Sequence, residues 1–292
     1  MVKSRVNIKT TIGLFFGLFI LIIFSFVVTS QVIGDTQVID LAEKARDFFI
    51  EATKGNIVGQ QTGNQFGENL LVGTTLEDVQ SQGGVLVFLE SAETMDVIST
   101  DTVNDILGAA NANSVLIKGL DENFTEKQEV INLSSIVVTT VNEYIRIQTT
   151  EVQSVGTYGA VNLGTISITS NVSATLQSEI PALESKSSST HYTVPTGQKL
   201  ILTSFSATMD TGKAVDILLH SRPNADVTSG EMSPEIIFRT FRGLATPIGR
   251  RSLGNLNFDE KTDIWFSSAT TSGGQTASVE VNYDFLQYGI GS

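Results

Sequence analysis

The chain opens on an unbroken apolar run and then changes character. Between Lys9 and Asp35 no residue is charged, and fourteen of the seventeen residues from Ile12 to Val28 are Ile, Leu, Phe or Val. These are Ile12, Leu14, Phe15, Phe16, Leu18, Phe19, Ile20, Leu21, Ile22, Ile23, Phe24, Phe26, Val27 and Val28. They leave no polar face, the pattern of a helix surrounded by hydrocarbon rather than packed on one side of a core. A helix over residues 10–31 is long enough to cross a hydrocarbon layer of about 30 Å. A cleaved secretory leader is the competing reading, with Val28-Thr29-Ser30 as small residues near a cut. The run is longer than the roughly 7–15 residues of a leader's apolar core, which favours a retained anchor. Lys3, Arg5 and Lys9 form a basic tail over 1–9, so the positive-inside rule places that tail in the cytosol and the remainder across the bilayer.

The period then becomes helical. Val38, Leu41, Ala42, Ala45, Phe48, Phe49 and Ala52 fall on one stripe, with Asp35 or Thr36 as cap and Gly55 as stop, predicting an amphipathic helix over 35–54. Its polar face is acidic, which argues against a helix lying on a membrane surface. Residues 55–80 are rich in Gly, Gln, Asn and Thr without a clear period, and read as a loop or extended arm.

Period-two runs of β-branched residues follow. Val85–Leu89, Val115–Lys118, Ile136–Thr140, Tyr144–Thr149 and Gly164–Thr169 predict the strands of a first antiparallel β-sandwich over 81–178. All five prolines come after residue 180, and the serine-rich stretch 179–190 reads as a linker. Tyr192–Val194, Leu200–Met209, Val215–Ser221, Ile236–Phe241, Asp263–Ser268 and Ala277–Phe285 predict a second sandwich over 191–292. The expectation is a mainly β chain: a transmembrane helix, a short amphipathic helix and two tandem jelly-roll-like sandwiches.

Charge narrows the partners. Beyond residue 30 the chain keeps 15 Lys and Arg against 31 Asp and Glu, a net of −16, which disfavours nucleic acid. Cysteine is absent, so no disulfide staples the fold. Asn123, Asn132 and Asn171 head glycosylation triplets that a lumenal orientation would expose. The two histidines, His191 and His220, lack metal-site spacing and read as polar caps at strand ends. Asp210-Thr211-Gly212 and the carboxylates Asp96, Asp101 and Asp105 read as turns rather than calcium loops, because no closing glutamate completes a ligand set. No nucleophile motif, phosphate loop or carboxylate pair is evident, so neither an enzyme nor a cofactor is expected. Arg239, Arg242, Arg250 and Arg251 concentrate positive charge within thirteen residues, a possible docking patch for an acidic neighbour or for another copy of the chain.

Several short motifs are familiar in order. Phe66-Gly67-Glu68-Asn69, Ser99-Thr100-Asp101-Thr102-Val103-Asn104-Asp105, Gly119-Leu120-Asp121-Glu122-Asn123, Glu143-Tyr144-Ile145-Arg146-Ile147 and Asn162-Leu163-Gly164-Thr165-Ile166 resemble a virion structural protein family of aquatic tailed phages and large algal DNA viruses. Tyr192-Thr193-Val194-Pro195-Thr196-Gly197-Gln198-Lys199 and Phe238-Arg239-Thr240-Phe241 extend the resemblance over roughly residues 55 to 288. Glu68 and the apolar N-terminal segment depart from the family pattern. The resemblance implies particle architecture without catalytic residues. Together with the anchor it gives a minor capsid protein that tethers a shell to an internal lipid membrane, with the bilayer and other capsid proteins as partners. A host-recognition or adhesive virion protein is the rival, with Tyr158, Tyr283 and Tyr288 as candidate contact residues.

Overall fold

The computed structural model describes residues 48–271 and 273–290, with only the backbone described at Phe48, Phe49, Gly254 and Asn255. The chain divides into two compact units, one ending at Asn56 and one running from Ile57. The basic tail, the fourteen anchor residues of the span 10–31 and most of the 35–54 helix lie outside the described residues. Among the described residues no helix is long and apolar enough to cross a membrane. The described part of the amphipathic helix is α1 (Phe48–Thr53). It ends at Gly55, whose φ of 74° lets Gly55 N–H reach Ala52 O and Asn56 N–H reach Glu51 O, the paired bonds of a Schellman cap.

The second unit is built from antiparallel sheets. One sheet runs β1 (Gln60–Val72), β16 (Ala277–Gly289), β11 (Gln198–Met209), β14 (Ile248–Phe258). Its companion runs β10 (Tyr192–Thr193), β15 (Asp263–Thr270), β12 (Val215–Arg222), β13 (Ile236–Leu244), with β2 (Glu77–Asp78) also on β15. One apolar cluster draws from both sheets, with Val279, Val281 and Tyr283 of β16 meeting Ile217, Leu219 and Phe266. In β11 the inward set is Leu200 and Leu202, then Phe205 and Ala207. A register shift between Leu202 and Ser204 carries the odd spacing, since an extra residue is what lets a strand change parity without turning its apolar face outward.

The other sheet pair is inserted between β2 and β10. Its sheets run β6 (Val138–Tyr144), β3 (Glu93–Ser99), β8 (Ile166–Ser170), β9 (Leu176–Ile180), and β5 (Glu126–Asn132), β4 (Ala112–Leu120), β7 (Arg146–Val155). Strict alternation buries Met95 and Val97 of β3 and Ile166 and Ile168 of β8 against Val115 and Ile117 of β4. Each such side chain contributes about 1.5–3 kcal/mol on leaving water.

Three sequence expectations change. Residues 55–80 are not an arm, because Gln60–Val72 pairs along nearly its whole length with β16. As an edge strand it buries little beyond Gly67, Asn69 and Val72, so it needs few apolar residues and shows no apolar period. The sheet pair that ends the chain therefore begins at residue 60, and the two pairs are nested rather than consecutive. The stretch 179–190 is not an exposed linker, since Ser188 and Thr190 are buried and Ser187, Ser189 and Thr190 donate backbone bonds to Thr150, Phe66 and Val79. Val85–Leu89 is not a strand; it crosses over the outer face of β15 as irregular chain.

Candidate functional site

A polar cluster lies where the two sheet pairs meet, and it begins with one carboxylate. Asp263, at the start of β15, is fully buried and accepts from Arg146 Nε at 2.9 Å, Arg146 Nη2 at 3.1 Å, Arg222 Nη2 at 2.7 Å and Thr193 Oγ1 at 2.6 Å. Burial alone would raise its pKa, but Arg146 above all, with Arg222 and Thr193, holds it below the ordinary carboxylate value. Arg146 opens β7 of the inserted pair, so its bidentate bond crosses from one sheet pair to the other. Its remaining nitrogen, Nη1, donates to Leu89 O and Ile145 O, which leaves a guanidinium that is 4 % exposed well satisfied. Both guanidinium groups lie over the Phe88 ring, with Arg146 Cζ 4.8 Å and Arg222 Cζ 4.6 Å from its centre.

Phe88 also leads into an aromatic row. The single tryptophan, Trp265, stacks on His220 at 5.2 Å and on His191 at 6.1 Å, with Phe88 edge-on to Trp265 at 5.4 Å. The two histidines, read from the sequence as strand-end caps, are thus both buried and share one neighbour. His220 and Trp265 face each other across β12 and β15, on the side away from the apolar core, because strand alternation sends Ile264 and Phe266 inward and Trp265 and Ser267 outward.

Each histidine is held between a serine and a carboxylate. His191 Nε2 is 3.1 Å from Asp78 Oδ2 and Nδ1 is 2.9 Å from Ser189 Oγ. His220 Nε2 is 2.5 Å from Ser267 Oγ, and Nδ1 is 2.5 Å from Glu235 Oε1. The Glu235 oxygen lies off the N–H direction, so this contact is an ion–dipole attraction rather than a formed hydrogen bond. A carboxylate only accepts, which puts the neutral ring's proton on Nδ1 and leaves Nε2 to accept from the Ser267 hydroxyl. Burial holds the His220 pKa below the ordinary histidine value, against the opposing pull of Glu235 and Asp78. At neutral pH the ring is uncharged.

Only one of the two Ser–His pairs faces open space. A cavity of about 480 Å³ has His220, Ser267, Trp265 and Arg222 along its floor. Phe88 and Glu235 stand at its sides, and Leu76, Val85, Val227 and Met232 form an apolar rim that is more than a third exposed. His191 and Ser189 do not line it.

The arginine patch is split between two edges. Arg239 and Arg242 sit on β13 and Arg250 and Arg251 on β14, the outermost strands of the two facing sheets. Arg242 pairs with Asp216 at 2.6 Å and Arg250 with Asp284 at 2.7 Å, both at exposed positions where such pairs contribute little. Arg239 and Arg251 meet no carboxylate among the described residues. Elsewhere Asp105 is buried and accepts from Ser99 Oγ and from the backbone N–H groups of Ala112, Leu163 and Gly164, so its oxygens are spent on holding loops. Asp101 and Asp210 likewise accept from the chain beside or opposite them, at Val103 and Asn104 and at Lys213 and Ser278. Among the described residues no group of three or more His, Asp or Glu is arranged to hold a metal ion. Tyr158 is fully exposed, whereas Tyr283 is buried and donates to Thr190 O.

No protein-family model and no curated protein matches the chain. Among solved structures it is similar to the VP2 subviral particle of infectious bursal disease virus, at 13 % identity and a TM-score of 0.18, over 80 % of this chain and 77 % of that one. It is also similar to T=1 particles derived from the same virus, at 11 % identity and a TM-score of 0.19, over 79 % and 74 %. Superpositions at these TM-scores establish no common fold.

Proposed function

We propose that this chain is a structural protein of a virion, a minor capsid protein that anchors in an internal lipid membrane through residues 10–31 and meets the protein shell with its β unit. The observation that carries the reading is the pair of open edges, β13 and β14. β13 and β14 are end strands of the two facing sheets, and Ile236, Ile237, Arg239 and Arg251 stand exposed on them with no strand paired on the outer side. A long uncovered edge invites pairing with another chain, and arginines in a strongly acidic protein favour an acidic neighbour over an indiscriminate one. The Arg146–Asp263 bond supports the same reading, since a tether that transmits force needs its two sheet pairs joined as one body.

Adhesion to a host receptor rests on Tyr158, the one large exposed aromatic among the described residues, and is the weaker reading. The test is to treat purified particles with mild detergent and follow the protein by immunoblot. Retention with the shell after lipid is stripped supports a tether; release with the lipid, or absence from particles, overturns it.

A further inference from the structure

We infer that Ser267, His220 and Glu235 form a nucleophilic serine centre that transfers the acyl group of small uncharged or cationic esters bound in the cavity above Trp265. The inference stands apart from the structural role proposed above. It rests on geometry: a serine hydroxyl 2.5 Å from an imidazole Nε2, a carboxylate 2.5 Å from the same ring's Nδ1, and a cavity of about 480 Å³ that reaches all three side chains. Cavities of roughly 300–1,000 Å³ suit small organic ligands.

The chain carries its own comparison. Ser189, His191 and Asp78 repeat the same order of groups beside Trp265, but of these only Asp78 reaches the cavity, and the His191 and Ser189 side chains do not. That copy needs no function beyond satisfying buried polar atoms. The Ser267 copy sits on the outer face of a sheet under irregular chain and lines the cavity, and its carboxylate comes from Glu235 at the mouth, which is 53 % exposed. The Glu235 charge, 2.5 Å from Nδ1 without a formed hydrogen bond, favours the tautomer in which Nε2 accepts, the arrangement a general base requires. Asp78, Glu90 and Glu235 line the cavity with negative charge, and Arg222 already spends its charge on Asp263. Anionic esters are therefore disfavoured. Leu76, Val85, Val227 and Met232 offer the acyl or alkyl portion an apolar rim.

In the step, Ser267 Oγ bonds to the acyl carbon while its proton passes to His220 Nε2. The ester C–O bond then breaks and the leaving alkoxide takes that proton. Water, deprotonated by the same nitrogen, attacks the acyl-serine and returns the free hydroxyl and a carboxylic acid. Glu235 acts as a positioning residue beside the transient imidazolium.

The test uses the full chain in detergent micelles with a fluorophosphonate probe, and peptide mass spectrometry to locate the adduct. The expected result is an adduct on Ser267 and none on Ser189, together with hydrolysis of p-nitrophenyl butyrate. Ser267→Ala should lose both and Ser189→Ala neither, and Glu235→Gln should slow labelling about tenfold, less than the roughly 10²–10⁴-fold of the base itself because Glu235 acts only through His220. The wild-type adduct map needs no variant to fold. Trp265 fluorescence confirms the native state. Folded wild-type protein that carries no adduct on Ser267 after prolonged exposure, or that is labelled equally on Ser189, overturns the inference.

Discussion

Replacing Asp263 by Asn tests whether one buried carboxylate holds the two sheet pairs together. Asp263 takes four hydrogen bonds, three of them from guanidinium N–H groups, and Arg146 beside it is 4 % exposed. An amide of the same shape keeps one acceptor oxygen and turns an NH₂ toward donors, leaving Arg146 charged, buried and half-paired. Breaking a buried pair from one side costs about 3–5 kcal/mol. For a unit of this size each kcal/mol lowers Tm by about 2–4 °C, so the expected fall is about 6–20 °C. Arg222 is 31 % exposed and keeps water as an alternative partner, so Arg222→Gln should cost about 1 kcal/mol or less. Differential scanning calorimetry at pH 7 measures both, and the Asn variant should also split a single transition into two as the sheet pairs lose their joint. A fall under about 3 °C for Asp263→Asn, or an equal fall for Arg222→Gln, would refute the assignment of Arg146–Asp263 as the joint.

Three further outcomes follow from particular contacts. Gly67→Ala places a methyl against the backbone of Val79 and Thr190 and should destabilise by about 1–3 kcal/mol, while Gly249→Ala, with open space around it, should stay within about 0.5 kcal/mol; urea titration of both decides. Asp105→Ala strips acceptors from the backbone N–H groups of Ala112, Leu163 and Gly164, so hydrogen exchange at 163 and 164 should accelerate at least tenfold, with about 1–3 kcal/mol lost per orphaned group. His220 has a folded pKa below its unfolded value of about 6.5, so the unfolded chain binds more protons in the window just beneath that pH. Stability should therefore be fully present above about pH 6.5 and decline as pH falls below it, and His220→Gln should remove this first decline from a plot of melting temperature against pH.

The inserted sheet pair was partly legible in the sequence because its strands bury one face against one core. Gly164–Thr169 alternates and β8 lies there, whereas Tyr144–Thr149, read as one strand, is the junction at which β6 ends on Tyr144 and β7 begins on Arg146. β1 was not legible, since an edge strand of Gln, Asn and Gly satisfies its backbone through β16 without an apolar stripe. The nesting was hidden for the same reason: nothing local marks residue 60 as the partner of residue 288. β15, Asp263–Thr270, shows the opposite difficulty. It is buried on nearly every residue, including the polar side chains Asp263, Ser267 and Ser268, so its sequence does not show which face is which. The cluster around Trp265 draws on residues from Asp78 to Ser267, and no spacing rule joins them. The one available signal was compositional, in that the sole tryptophan and both histidines all sat in strand-like context. The arginine patch was visible as a sequence cluster, but its division between two facing sheets depends on the turn at 245–247, which carries the chain from one sheet to the other.

Nesting one sheet pair within another also sets an order of events during synthesis. β1 must wait for β16, more than two hundred residues later, and β16 lies between β1 and β11 in its sheet. Until residues 277–289 leave the ribosome, β1 and β11 each present a bare edge, whereas the inserted pair has all seven of its strands by residue 180. That pair can fold while translation continues, and the closing one cannot. Pairing over such a separation is slow and leaves an exposed intermediate, so the nascent chain has a period of chaperone dependence that ends only with its last strand.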